Sequence, residues 1–160
     1  MSSESLSHID ESNRANMVDV SAKSVTVRTA TAEAKVHVNS AVSALFDGHD
    51  LVSKKGPVFQ TAILAGIMGA KQTSQLIPLC HPLPLDSVKI DIQFTEPIAT
   101  IRCTAKTTGK TGVEMEALTG ANLAALTLYD MCKALDKAIT ITEVRLIEKT
   151  GGASDFSISS

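Results

Sequence analysis

Asp130 and Lys133 stand three residues apart in a stretch whose apolar residues recur at steps of three and four. On a helix their side chains are neighbours. A carboxylate beside an ammonium is the raw material of acid/base chemistry, although the same spacing describes a solvated ion pair worth only tenths of a kcal/mol. Glu116 is expected further up the same polar flank. A second candidate pair is Cys80-His81, within LIPLCHPLPL. Nothing nearby in sequence lowers the Cys80 pKa, which leaves it a poor nucleophile unless His81 turns inward. His81 reads either as a core histidine satisfied by a backbone carbonyl or as a site histidine held still by the prolines. His49 with Asp47 and Asp50 has the composition of a metal loop, but turns favour Asp and Gly for backbone reasons.

These side chains need a scaffold. Between Lys110 and Ala138 the stripe Leu118, Ala121, Ala125, Leu128, Cys132 and Leu135 predicts a long helix with one buried face. Val25 to Val38 alternates like a strand, yet Val25 and Val27 fall on odd numbers while Ala30, Ala32, Ala34, Val36 and Val38 fall on even ones. This predicts a bulge or twist there, with Arg28 at the slip. Ser40 is expected to cap a short helix ending near Asp47-Gly48. Pro57 suits the first position of a second helix running to about Lys71, with Val58, Ala62, Ala65 and Gly69 as a small-residue face. Lys55 then lies just ahead of that helix's N-terminus, where backbone donors favour anions. The three prolines between Pro78 and Pro84 predict a stiff extended loop. Val88 to Thr95 and Ala99 to Lys106 alternate as a hairpin turning at Glu96-Pro97, and Ile139 to Glu148 is a last strand with a second slip near Glu143. A glycine loop and a short tail that can pair as an extra strand follow.

Strand, helix, strand, strand, helix, strand is the split βαβ order of an α+β, ferredoxin-like domain, an antiparallel sheet with helices on one face. The uncovered face predicts a homo-oligomer, since a second copy is its economical cover. The 160 residues make one domain, read as a polar, mobile leader over residues 1–16 followed by a single domain over 17–160. Three widely spaced cysteines fit reduced thiols, and the absence of an apolar run or signal-like leader makes the cytoplasm the expected location, with no membrane contact. A net charge of −2 and 3% aromatic residues argue against nucleic acid.

The blocks MVDVSAK, KGPVF, LIPLCHPLPL, KTGVEMEALTGANLAALTLYDMCKA and KTGG, spread from about Met17 to Phe156, resemble the cyclic pyranopterin monophosphate synthase family of molybdenum-cofactor biosynthesis, the MoaC type. The resemblance implies a reaction in which a cyclic dihydro-GTP intermediate is rearranged to cyclic pyranopterin monophosphate with loss of pyrophosphate. It also implies roles by position. Asp130 matches the catalytic aspartate and Lys133 its neighbouring lysine, giving the general acid/base pair. Arg28, Lys55 and Lys149 match cationic site positions suited to a triphosphate, while Leu79, Cys80, His81, Met115 and Glu116 match substrate-binding segments. The implied assembly is a hexamer, a trimer of dimers with the active site at the dimer interface. The residues themselves offer no convincing ligand cluster, so no cofactor and no essential metal are expected, with Mg²⁺ accompanying the triphosphate left open.

Geometry adds a condition. Glu116 and Asp130 are fourteen residues apart, roughly 21 Å along a straight helix, so either the helix starts late or two chains build each pocket, with Arg28 or the Leu79 to His81 loop reaching a partner's Asp130. The rival readings are a non-catalytic nucleotide- or phosphate-binding module, a sheet-surface RNA binder and a cysteine hydrolase.

Overall fold

The computed structural model describes residues 8–10 and 12–158. The expected leader therefore falls partly outside the described residues. Its described part folds back on itself, with Ile9 bridged to Ala15.

In chain order the elements are β1 (Thr26–His37), α1 (Ser40–Ser43), β2 (Val52–Ser53), β3 (Gly56–Pro57), α2 (Val58–Lys71), α3 (Thr73–Leu76), β4 (Ser87–Thr95), β5 (Ile98–Gly109), α4 (Glu114–Cys132), β6 (Thr140–Thr150) and β7 (Phe156–Ser157). The main sheet has the order β4-β5-β1-β6-β7 and is antiparallel at every step. Its first four strands have the ferredoxin-like order, with β7 added by the tail. Ala30, Ala32, Ala34 and Val36 of β1 and Ala99, Ile101, Cys103 and Ala105 of β5 are all buried on the side where α4 packs.

Several expectations change on contact with this sheet. β1 runs in unbroken register with β5 from Thr26↔Gly109 to His37↔Ile98, so it carries no slip of its own. Val25 and Val27 simply lie exposed, while Arg28 continues the even-numbered phase. The irregularities belong to the pairing of β1 with β6, between Thr31/Ala32 and Glu33/Lys35. The second of these coincides with Glu143 at φ 52, where the sequence places its second slip. The sheet face away from the helices is a polar ladder rather than an apolar one. Thr29 bonds Thr150 and Thr31 bonds Thr104, while the buried Glu33 carboxylate is held by Arg102 at 2.9 Å and Arg145 at 3.5 Å. Exposed apolar side chains include Leu64, Met68 and Leu126 on the outer helix surface, besides Val27 at the start of β1.

α2 and α4 cross at glycines. A β-carbon on Gly120 would stand 2.5 Å from Cys103 Sγ and 3.2 Å from the Gly66 carbonyl, and one on Gly66 would run into Ile90. The buried face of α2 thus uses Gly66, not Ala65, beside Ala62 and Gly69. The caps differ too. Asn39, not Ser40, caps α1, its Oδ1 accepting from Val42 N at 3.0 Å, and that helix is a single turn. Pro57 sits just before α2, whose first N–H groups, those of Phe59 and Gln60, donate to the Asp50 carboxylate at 2.7 and 3.1 Å. Asp47 likewise accepts from His49 N and Asp50 N. Both carboxylates are used by backbone in the way turns and caps use them.

Candidate active site

The candidate residues gather at the two ends of α4. At its C-terminal end Asp130 is two residues from the last helical position, and Lys133 is the capping residue, its N–H bonded to Tyr129 O at 2.8 Å. One turn of helix brings Lys133 Nζ to 2.7 Å from Asp130 Oδ1. Lys55 joins them from the opposite side, 3.6 Å from Asp130 Oδ2 and donating to the Asp130 carbonyl at 3.0 Å.

Lys55 gets there by way of a tight turn. β2 and β3 pair as Val52↔Pro57 and Ser53↔Gly56, with Ser53 Oγ donating to Gly56 O and accepting from Lys55 N. Gly56 at φ +109 permits the return. The lysine is therefore aimed at the negative end of α4 rather than at the N-terminus of α2, which Asp50 already occupies. One carboxylate lies between two ammoniums, all three half-exposed. The hydrogen bond and charge of Lys133, then the charge of Lys55, hold the Asp130 carboxyl below its ordinary range, and Asp130 in turn holds the Lys133 ammonium above its own. Such a triad accepts a proton at oxygen and offers one from nitrogen in the same small volume. Beside it lies a mostly apolar cavity of about 450 Å³ bounded by Leu45, Ser53, Lys55, Met131 and Leu135. Leu135, expected in the core stripe, lies beyond the end of α4 and is exposed.

At the N-terminal end two adjoining cavities share Thr111, Gly112 and Glu114. The first, about 200 Å³, is lined by Lys23, Arg28, Lys149 and Gly152 as well. Arg28 is steadied by its Nε donating to Gly109 O at 3.1 Å, and Lys149 by an ion pair with Glu114 at 3.0 Å. Gly151, at φ +82, lets the loop pass so close to Val27 O that a β-carbon would collide with it. The second cavity, about 140 Å³, is lined by Leu79, Cys80, His81, Met115 and Glu116, with His8 at its border. Among the described residues no group of three His, Cys, Asp or Glu is arranged to hold a metal ion.

Glu116 is buried rather than part of a polar flank, only 4% exposed. Burial first, and the neighbouring Glu114 charge after it, push its carboxyl above the ordinary range. Cys80 is pushed up as well, by burial and then by Glu116, which disfavours its thiolate. His81 does bond a carbonyl, Val18 O at 2.8 Å, and it does so on the wall of a cavity, which joins the two alternatives the sequence left open.

Seven candidates, Arg28, Leu79, Cys80, His81, Met115, Glu116 and Lys149, thus gather at one end of α4, and Lys55, Asp130 and Lys133 at the other. Because α4 is helical from Glu114 to Cys132, it does not start late, and the rise between Glu116 and Asp130 remains roughly 21 Å. Glu114, Lys23 and Thr111 went unread. Lys23 closes the MVDVSAK block and Glu114 opens the EME run, but only the fold pairs Glu114 with Lys149, and Thr111 stands out by its buried hydroxyl without a hydrogen-bond partner.

A family model described as the MoaC family matches residues 17–152. Among curated proteins, one from Xanthomonas oryzae pv. oryzae is 49% identical over 152 residues, covering 94% of this chain and 92% of the relative. One from Nocardioides sp. is 53% identical over 93% of this chain and 92% of the relative, and one from Streptomyces avermitilis 54% identical over 93% and 86%. All three are named cyclic pyranopterin monophosphate synthase.

Proposed function

The chain belongs to the MoaC family, and we propose that it performs the reaction its relatives are named for, the synthesis of cyclic pyranopterin monophosphate in molybdenum-cofactor biosynthesis. The observation that carries the reading is identity near one half over more than nine tenths of the chain, with one name throughout. Chemistry fills in the rest. Forming a cyclic monophosphate from a dihydro-GTP intermediate while releasing pyrophosphate requires a substrate oxygen to attack the α-phosphorus as the bond to the β-phosphate oxygen breaks. The site must therefore hold a triphosphate, move protons during ring opening and closure, and neutralise charge on the departing pyrophosphate.

Asp130 accepts protons and Lys133 donates them, with Lys55 beside them as a fixed positive charge. Arg28 and Lys149 bind phosphate oxygens next to the Gly151-Gly152 backbone. Leu79, Cys80, His81, Met115 and Glu116 enclose the remainder of the substrate. A single ligand spans both groups when the N-terminal end of one α4 faces the C-terminal end of another, so the working unit is a homo-oligomer, a hexamer arranged as a trimer of dimers with its sites between paired subunits. No helix among the described residues is long and apolar enough to cross a membrane, which agrees with a cytoplasmic enzyme.

Incubating the purified protein with the cyclic dihydro-GTP intermediate and assaying pyrophosphate tests the activity. Stoichiometric pyrophosphate and pterin are expected. A protein that binds the intermediate and returns it unchanged would instead be a non-catalytic nucleotide-binding module.

A further inference from the structure

Residues 1–16 lie ahead of the family-matched region, and just downstream of them two contacts hold the start of that region against the site. His81 Nε2 lies 2.8 Å from Val18 O, and a carbonyl only accepts, so Nε2 carries the hydrogen and Nδ1 is bare in the neutral ring. Lys110 Nζ donates to Ser21 O at 2.7 Å, fixing the same segment to the loop before α4. Upstream the chain doubles back. Asp10 Oδ1 accepts from Ser12 N and Arg14 N, and Asn16 N donates to His8 O, each at 2.9 Å. The turn leaves His8 on the border of the cavity formed by Cys80, His81, Met115 and Glu116. A match covering 94% of the chain cannot leave out all of residues 1–16, which make up a tenth of it, so relatives carry part of this segment too.

We propose that the amino-terminal turn is part of the substrate site, with His8 supplying one imidazole hydrogen bond to the substrate in the Cys80–Glu116 cavity. The inference rests on the proposed function for its substrate but concerns a residue outside the 17–152 match. Nothing in the turn is apolar enough to earn its place by core burial: His8, Ile9, Asp10 and Asn13 to Asn16 are all exposed. Its hydrogen bonds serve to hold a shape. A hydrogen bond made on binding and kept through the reaction strengthens substrate binding without speeding the chemical step.

The test uses the 160-residue chain, His8→Ala, and a chain beginning at Met17, each assayed for pyrophosphate release and, separately, for affinity toward GTP as a stable triphosphate probe by calorimetry. His8→Ala and the shortened chain are both expected to raise KM and the GTP Kd about tenfold, with kcat within twofold and the unfolding temperature unchanged. Unchanged KM and Kd in both variants would overturn the proposal. A 160-residue chain that bound GTP yet released no pyrophosphate would count against the proposed function alone, since the GTP affinities of the variants would still decide the role of His8.

Discussion

Asp130, placed 2.7 Å from one ammonium and 3.6 Å from another, keeps its charge well into acid, and Lys133 keeps its own well into base. If Asp130 works as base and Lys133 as acid, activity is lost only as pH falls below the depressed carboxyl pKa or rises above the elevated ammonium pKa. The free enzyme should therefore show a broad plateau in kcat/KM. Lys55→Ala removes one of the charges lowering the Asp130 pKa, so the acid limb should move up in pH, which a pH–rate profile would detect. Asp130→Asn should cost between about a hundredfold and ten-thousandfold in kcat, while circular dichroism and unfolding temperature stay at wild-type values because the side chain is exposed. Glu116 behaves oppositely. Its folded pKa is raised from 4.5 by burial, so its protonated form favours the fold below that value, and stability is lost as pH rises through the elevated pKa. Glu116→Gln should be more stable than wild type at pH 8 in urea titrations, with the gap closing below pH 4.5. The sequence misplaced Glu116 for a definable reason. Periodicity gives its azimuth, close to that of Asp130, but the start of α4 faces the proline loop while its end faces solvent.

Elements carried most of what the residues could announce. The period-2 runs of β4 and β5, the proline loop and the slip at Glu143 follow from local alternation and turn chemistry, and they emerge nearly where expected. The caps and the small-residue seam do not, because they depend on partners distant in sequence. Asp50 caps α2 from across a loop, and Gly66 is explained by Ile90 and by the Gly120 carbonyl, the latter 2.7 Å from where its β-carbon would stand. Gly120→Ala should therefore destabilise the domain by about 1–3 kcal/mol, read as a lower urea midpoint with unchanged slope. The Lys55 hairpin shows the same limit. Sequence puts Lys55 just ahead of the helix opened by Pro57, but where its side chain points depends on α4, seventy-five positions onward.

At the scale of the molecule, fold class and family were legible because they rest on long ordered blocks and on the order of strands and helices. The surface for a proposed assembly was not. A second copy was expected as cover for the free sheet face, whereas that face carries threonine pairs and an Arg102–Glu33–Arg145 cluster, and exposed Leu64, Met68 and Leu126 lie on the helices. The proposed assembly would then run through the helix side, and light scattering at micromolar concentration should give a particle larger than 16.8 kDa. A stronger argument for the proposed assembly is chemical, since the candidate proton-transfer residues and the candidate substrate-enclosing residues lie at opposite ends of one helix. Two defective chains should then repair each other. Co-expressing Asp130→Asn with Lys149→Ala and assaying pyrophosphate release by the mixed oligomers measures this directly. Sites shared between paired subunits predict recovery of about a quarter of wild-type activity, one intact site in each mixed pair under random pairing, whereas mixed oligomers no more active than either parent would contradict the shared site.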